Sequence, residues 1–238
     1  FNTLTPEQEQ VSQDILLNAI DCLESGETGT SVLSGKAGTG KSIVLIHMMY
    51  TLMSAMSVTY NDEDLTPDEQ LELGARISLS NKIRDYVKRH GDLKIAFVVP
   101  MTSIRKTFKA VFSASKGTGL KPSMVIGPQE VLKKDYDIVF VDEAHRLARR
   151  KNLTAYGAFD KACARLGIDK MTATHLDMIQ LKSRYSVLVY DECQTVKASD
   201  LTPCQFQRSL KLHGRDVHAV YLKTQMRCEG GSSYVEYL

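Results

Sequence analysis

The sequence predicts an α/β fold in which a mostly parallel sheet carries helices on both faces. Short apolar runs that suit strands alternate along the chain with patterns that suit helices, and such alternation is typical of parallel sheets. A glycine-rich segment also joins the first strand directly to a helix, which is a common ligand-binding arrangement at the carboxyl edge of such sheets. The predicted strands are Val32–Leu33, Ile95–Val99, Met124–Ile126, Asp137–Val141, Val187–Tyr190 and Val217–Leu222.

The composition is ordinary for a globular protein and excludes few functions. The 238 residues, 43% hydrophobic and 24% charged, can form one large or two small domains. A net charge of +2 neither requires nor excludes a nucleic-acid partner. The sequence shows no signal peptide and no apolar run of membrane-spanning length, and its five scattered cysteines include no CxxC pair. We therefore expect reduced thiols, a cytoplasmic location and no membrane partner.

The segment GKAGTGKS matches the phosphate-binding pattern G-x-x-x-x-G-K-[ST], the P-loop. Its glycines allow backbone N–H groups to surround phosphate oxygens, toward which the following helix directs its positive end. Lys41 is expected to reach the β- and γ-phosphates of ATP, and Ser42 to hold Mg²⁺. The alternative is a glycine-rich turn that happens to end in Lys-Ser. The predicted nucleotide-binding residues of this loop are Gly35, Ala37, Gly38, Thr39, Gly40, Lys41 and Ser42.

A helix is predicted just before the first strand. Thr5 suits its N-cap, Pro6 its first position and Gln8 the capping-box position. Capping alone accounts for Gln8. Because this helix comes directly before the P-loop strand, we also expect the Gln8 carboxamide to read the adenine edge, and we favour both uses.

Two carboxylates follow the buried strand at residues 137–141. Asp142 is expected to bind Mg²⁺, and Glu143 to polarise the attacking water. The alternative, two exposed carboxylates at the end of a strand, loses weight because a P-loop is already present. His145, two residues after Glu143, either couples the site to a neighbouring domain or caps the turn.

Two further polar residues are candidates for contacts with the γ-phosphate. Gln194 lies three residues after Asp191, which directly follows a predicted strand, and this spacing suits a sensor of the γ-phosphate. The alternative is a polar loop. Arg227 lies beyond the last strand, where a trans-acting arginine finger and an ordinary surface charge are equally acceptable interpretations.

The strand at residues 95–99 leads into a helix whose start carries nucleic-acid candidates. Thr102 or Ser103 can cap this helix, or can bond a nucleic-acid phosphate with Arg105 close by. Basic residues alone are weak support for the second interpretation, because most such clusters are solvated surfaces.

The candidate motifs occur in a recognisable order. The segments LTPEQ, GKAGTGKS, VVPMTS, VDEAH, YDECQ and TQMR resemble the Q motif and motifs I, Ia, II, III and IV of superfamily 1 helicases. More narrowly, VDEAHR and the later QMRC-x-G-x-x-x-Y-V-x-x-L look like a poorly characterised prokaryotic P-loop family, which is similar to the helicase-like domain of Schlafen proteins. The resemblance implies a RecA-like P-loop NTPase fold, with ATP and Mg²⁺ as cofactors. It implies that Gln8 contacts adenine and Lys41 the phosphates. It also implies that Ser42 and Asp142 hold Mg²⁺ and that Glu143 is the base.

The same resemblance covers the remaining candidates. It implies that Gln194 senses the γ-phosphate and that Arg227 contacts it. It places Thr102 and Ser103 beside single-stranded nucleic acid. The chain departs from many superfamily 1 motors at His145, where those proteins have Gln, and nothing in it resembles their motifs V and VI.

These departures affect the expected domain organisation. We expect a RecA-like P-loop ATPase domain at residues 1–222, with a helical insertion at 57–93. Residues 223–238 are expected to be the start of a second lobe or a C-terminal tail. A motor needs two RecA-like lobes, so the chain is either part of a larger protein or a one-domain NTPase. We expect a second RecA-like lobe, or a nuclease or other partner module, to be its protein partner.

The expected function is Mg²⁺-dependent hydrolysis of the β–γ bond of ATP, coupled to binding of single-stranded DNA or RNA. The main alternative is an ATP-dependent switch or scaffold, which controls a nuclease or partner module without motor activity and hydrolyses ATP slowly. A nucleotide kinase is a weaker alternative, because the Asp-Glu pair at the strand end and the sensor-like Gln194 do not favour it.

Overall fold

A six-stranded parallel sheet forms the centre of the computed structural model, which describes residues 4–36, 38–57, 67–153, 156–191, 194 and 198–224. For residues 67–73 only the backbone is described. The strands are β1 (Gly29–Gly35), β2 (Ile95–Val98), β3 (Val125–Ile126), β4 (Tyr136–Val141), β5 (Ser183–Val189) and β6 (Asp216–Leu222). Their order across the sheet is β3-β2-β4-β5-β1-β6, and every pairing is parallel. The predicted fold class is confirmed.

Helices cover both faces of the sheet. They are α1 (Pro6–Glu24), α2 (Lys41–Ser57), α3 (Pro67–His90), α4 (Thr102–Ala114), α5 (Tyr156–Leu166), α6 (His175–Leu181) and α7 (Pro203–Leu212). Helices α1 to α4 pack with one set of strand side chains, and α5 to α7 with the other. Neighbouring residues of β4 show this division, because Phe140 belongs to the first layer and Val139 and Val141 to the second. Short 3₁₀ helices occupy Pro122–Met124, Pro128–Lys133 and Ala144–Arg146.

The central strands are buried on both faces, as their continuous apolar runs predict. All four residues of β2 are buried, and so are all residues of β4 except Asp137. Strand β5 begins at Ser183, four positions before the predicted Val187, because its first residues are polar but have partners inside the protein. Ser183 Oγ donates to the Ile179 carbonyl at 2.8 Å. No helix in the described part of the chain has the length and apolar character needed to cross a membrane.

The start of α1 has the predicted capping box. The Gln8 backbone N–H donates to Thr5 Oγ1 at 3.2 Å, and the Thr5 backbone N–H donates to Gln8 Oε1 at 3.1 Å. Pro6 occupies the first turn, where its missing N–H costs no helical hydrogen bond. The capping box fixes where α1 begins and therefore where the Gln8 side chain lies.

Candidate active site

The carboxyl ends of three adjacent strands bring three predicted catalytic residues, Lys41, Glu143 and Gln194, to the same side of the sheet. Strand β1 leads into the P-loop, β4 ends just before Asp142, and β5 ends two residues before Asp191. Since β4, β5 and β1 are neighbours and parallel, all three loops emerge at the same edge of the sheet. Parallel pairing therefore assembles one site from segments up to 150 positions apart in the sequence.

The P-loop turns sharply between β1 and α2, and its glycines are needed for the turn. Gly38 and Gly40 have φ values of +86° and +78°, in the left-handed region that favours glycine. A Cβ at Gly40 would lie 2.5 Å from Gln8 Nε2, so a larger residue would also collide with α1. The Thr39 hydroxyl donates to the Lys36 carbonyl at 3.1 Å and closes the turn. Ala37 lies outside the described residues.

Lys41 begins α2 and lies against the P-loop rather than in solvent. It is 9% exposed, and its Nζ donates to the carbonyls of Gly35 at 2.6 Å and Lys36 at 3.0 Å. A carboxylate oxygen of Asp191 lies 3.7 Å from the same Nζ. The ammonium group is thus held at the mouth of the loop, beside the positive end of α2. A phosphate at this helix end would meet both charges.

Ser42 and Asp142 form a direct contact between the P-loop and β4. Ser42 Oγ lies 2.9 Å from Asp142 Oδ1 and 3.0 Å from Oδ2. Asp142 is 2% exposed, and this burial raises the pKa of its carboxyl to about 6, although the Ser42 hydrogen bond acts in the opposite direction. Among the described residues, no group of three or more His, Cys, Asp or Glu side chains has an arrangement that could hold a metal ion by itself.

Glu143 has an unusual backbone conformation beside Asp142. Its φ is +52° and its ψ is +49°, a left-handed conformation that is uncommon for a residue with a Cβ. The Oε2 atom lies 3.0 Å from Nε2 of His145. The nearby imidazole lowers the pKa of the Glu143 carboxyl, against the effect of its partial burial. The carboxylate therefore stays ionised and able to accept a proton.

The side chain of His145 packs toward the layer of helices α5 to α7. It is 1% exposed, and its ring meets the ring of Tyr190 edge-on, with centroids 6.5 Å apart. Tyr190 in turn stacks on Phe206 of α7 with a centroid separation of 3.8 Å. Through Tyr190, this packing connects His145 to α7, and the predicted coupling to a neighbouring domain stays a prediction.

Asp191 is the residue of this site that sequence reasoning underestimated. Besides facing Lys41, its Oδ2 accepts a hydrogen bond of 2.7 Å from Gln194 Nε2. Lys41, Asp191 and Gln194 thus form one chain of polar contacts. The available signal was the repeated pattern of an apolar strand followed by an acid, which predicted the sensor-like Gln194 but gave Asp191 no role of its own.

One comparison with known proteins identifies the family of this chain. A family model for the Schlafen group 3 DNA/RNA helicase domain matches residues 29–238, a range that includes every strand described above. The chain belongs to this family. A search of curated proteins found no match. Helix α1 and Gln8 precede the matched range.

In this Schlafen-type helicase domain, Gln8 connects α1 to the P-loop. Its Nε2 donates to the Thr39 carbonyl at 3.0 Å, while its Oε1 accepts from the Thr5 backbone N–H. A carboxamide has two donor hydrogens and two acceptor lone pairs. These bonds use one of each, so one donor and one acceptor remain, which is the set that an adenine edge would require. Gln8 is 4% exposed.

The nucleic-acid candidates of the Schlafen-type domain lie at the carboxyl end of β2, at the start of α4. Neither Thr102 nor Ser103 caps this helix: Met101 is the N-cap and makes no side-chain capping bond, so the capping interpretation is wrong for both. Both residues are exposed. Arg105 is engaged within the protein, because it donates to Thr102 Oγ1 at 3.2 Å and lies 3.6 Å from a Glu130 carboxylate oxygen.

Arg227 lies outside the described residues, but the described chain approaches the site just before it. The backbone N–H groups of Lys223 and Thr224 donate to the Glu7 carboxylate at 2.8 and 3.0 Å. A hydrogen bond from the Thr224 side chain, together with these backbone bonds, lowers the pKa of the Glu7 carboxyl. Lys223 and Thr224, which directly follow β6, are thus fixed beside the first turn of α1, which carries Gln8.

Proposed function

We propose that this domain binds ATP with Mg²⁺ and hydrolyses the β–γ phosphoanhydride bond, as the first RecA-like lobe of a helicase-like protein. We further propose that single-stranded DNA or RNA stimulates the reaction. The observation that carries the proposal is the direct contact between Ser42 and Asp142, with Lys41 in the adjacent loop. A hydroxyl at the start of the helix after the P-loop and a carboxylate at the end of a nearby strand are the protein ligands that Mg²⁺ takes in P-loop NTPases, alongside phosphate oxygens and water.

The Ser42 hydroxyl and the Asp142 carboxylate suit a magnesium ion both as oxygen ligands and in their charge. Mg²⁺ prefers hard oxygen ligands and is commonly bound by one or two carboxylates and substrate phosphates. The Asp142 carboxyl is buried with a raised pKa, and a bound cation would supply the positive charge that its ionised form lacks. When bound, the ion would neutralise charge on the β- and γ-phosphates.

The side chains around this position can each contribute one part of the reaction. Loop N–H groups and Lys41 would hold the phosphates in line for attack. Glu143, ionised and beside the site, would orient a water molecule and accept its proton as the water oxygen bonds to the γ-phosphorus. The bond to the β–γ bridging oxygen then breaks, and ADP and phosphate leave. Gln194 would report the presence of the γ-phosphate through Asp191, and Arg227 would contact that group.

One contact favours the alternative, an ATP-dependent switch or scaffold that regulates a nuclease or partner module. His145 Nε2 lies 3.0 Å from Glu143 Oε2, so one oxygen of the proposed base faces a histidine and not open solvent. The buried rings of His145, Tyr190 and Phe206 connect this contact to α7. A domain in which this contact persisted with ATP bound would hydrolyse slowly and transmit its nucleotide state through α7.

Steady-state ATP hydrolysis, with and without single-stranded DNA or RNA, distinguishes these two functions. We expect Mg²⁺-dependent turnover that one nucleic acid stimulates and that Lys41→Ala abolishes. Lys36→Ala is the matched control, since Lys36 lies in the same loop with an exposed side chain and should be tolerated. Tight ATP binding without turnover under every condition would overturn the hydrolase proposal and support the switch.

Gln8→Ala is expected to weaken ATP binding by about tenfold and to remove the preference for ATP over GTP. The substitution deletes the bond to the Thr39 carbonyl, which shapes the P-loop, together with the proposed contact to adenine. Competition titrations with both nucleotides measure the two effects separately. Gln10→Ala, an exposed position on the same helix, should change neither. An unchanged ATP-to-GTP ratio would contradict the adenine contact, even if the affinity for both nucleotides fell.

A further inference from the structure

A cleft lies at the amino ends of the strands, opposite the carboxyl ends that carry the P-loop. It has a volume of about 400 Å³ and forms where β4, β5 and β6 begin. Strand β1 runs from Gly29 near this cleft to Gly35 at the P-loop. Seven residues of strand span roughly 20 Å, so the two sites are well separated. The cleft is therefore distinct from the proposed ATP site.

The cleft wall carries more positive than negative charge. Lys182, Arg184 and Arg215 contribute three cations, and Asp135 is the one carboxylate among the described residues that line the cleft. Arg215 is 8% exposed, and its guanidinium donates to the carbonyls of Gly29 at 2.9 Å and Arg184 at 3.2 Å. It also donates to two more backbone carbonyls, those of Gln180 and Ser183. These contacts fix the guanidinium group at the start of β1 and β5.

Hydrogen bonds hold Arg215 in place, but no carboxylate neutralises it. Neither Arg215 nor Arg184 forms an ion pair with an Asp or Glu side chain in the described ranges. Burial accordingly lowers the pKa of Arg215 to about 10. Burying a charge without a counter-ion is unfavourable, and an anion in the adjacent cleft would offset part of that cost.

The other two cations have donors available for such an anion. Arg184 uses two of its five N–H groups, on the Tyr86 hydroxyl at 3.0 Å and the Leu23 carbonyl at 2.7 Å. Lys182 Nζ contacts Asp135 Oδ1 at 2.5 Å, yet the Asp135 side chain is 81% exposed and can turn away. Gln180, also in the wall, is 2% exposed, and its two side-chain polar atoms have no partner among the described residues. A buried carboxamide without partners calls for an explanation, and a water or ligand group at the base of the cleft would provide one.

From this convergence of cations we infer that the cleft binds a small oxyanion of the phosphate or phosphate-monoester class. Lys182 and Arg184 would contact the anion directly, with the fixed charge of Arg215 behind them. The volume suits a small ligand, being within the usual range of about 300 to 1,000 Å³ for such pockets. The phosphate can come from free phosphate, from a nucleoside monophosphate or from the 5′ end of a nucleic acid. This inference does not depend on ATP hydrolysis.

Isothermal titration of the whole chain with inorganic phosphate tests the inference. Every protein in the series carries Lys41→Ala and is kept free of metal, so that binding at the P-loop does not contribute. We expect saturable binding, which Lys182→Gln weakens by at least about tenfold. Asp135→Asn should instead tighten it, because the competing carboxylate is removed at an exposed position. The matched control is Lys170→Gln, another lysine paired with an aspartate but remote from the cleft, and it should bind as the parent does.

The outcomes test phosphate binding in the cleft independently of the proposed ATP hydrolysis. Absence of phosphate binding in the Lys41→Ala protein would overturn the inference, and so would equal affinities for the Lys182→Gln and Lys170→Gln proteins. Weaker binding after Asp135→Asn would also overturn it. Titrations with adenosine monophosphate, and with one short oligonucleotide bearing a 5′-phosphate or a 5′-hydroxyl, would then identify the source of the phosphate. Failure of ATP hydrolysis would leave all these titrations unaffected.

Discussion

Glu143→Gln is expected to lower the rate of ATP hydrolysis by a factor of about 10³ and to leave ATP affinity within about twofold of the wild-type value. Glutamine has nearly the same shape as glutamate but cannot accept the proton that the attacking water loses. The Glu143 carboxyl also has a lowered pKa beside His145, so at neutral pH the wild-type side chain is in the form that accepts the proton. The change should therefore act on catalysis and not on binding.

Two measurements are needed for this prediction, single-turnover hydrolysis and equilibrium binding of ATP. Glu130→Gln provides a matched control, because Glu130 is a partly exposed carboxylate that contacts Arg105 and lies outside the proposed site. Its hydrolysis rate should remain within about twofold of wild type. A Glu143→Gln protein that hydrolyses ATP at the wild-type rate would show that Glu143 is not the base, whatever the affinity.

The fold and the centre of the site were predictable because their signals are local. A strand buried on both faces must be apolar along its length, so β2 and β4 are visible as continuous runs. The capping box at Thr5 and Gln8 needs only residues three positions apart. The P-loop pattern likewise places its glycines, Lys41 and Ser42 within eight consecutive residues. In each case the physical constraint acts within one element.

The parts that sequence reasoning missed depend on which strands become neighbours. Asp191 faces Lys41 because β5 lies beside β1, although 150 positions separate the two residues in the sequence. No local pattern contains that pairing. The same holds for Arg105, whose guanidinium packs near Gly127 and Glu130 and is partly occupied by protein contacts. The positive charge of Arg105 in the sequence does not reveal these contacts within the protein.

Asp142→Asn is expected to increase the free energy of unfolding of the metal-free and nucleotide-free protein by about 2 to 3 kcal/mol at pH 7.5. Burial raises the pKa of the Asp142 carboxyl from 3.8 to about 6, so folding favours its protonated form. The stability that comes from this preference is complete below about pH 4 and is lost as the pH rises through about 6. Asparagine is neutral at every pH and keeps an oxygen that can accept from Ser42 Oγ. The gain over wild type should thus be present at pH 7.5 and disappear near pH 4.

Urea unfolding across this pH range, with chelator present, measures the effect. Asp177→Asn is a matched control of opposite sign. Asp177 is also 2% exposed, and its burial acts to raise the pKa of its carboxyl, but hydrogen bonds, among them those with His213 and Thr174, outweigh burial and lower it. Its replacement should destabilise the protein at pH 7.5. Adding Mg²⁺ and ATP should reverse the order for Asp142, because the wild type gains the binding energy of a ligand that the variant holds poorly. If Asp142→Asn lowered stability without ligands, Asp142 would be a structural residue. A gain without ligands and a loss with them would instead show that the buried charge is kept for binding a cation, at the expense of the stability of the free domain.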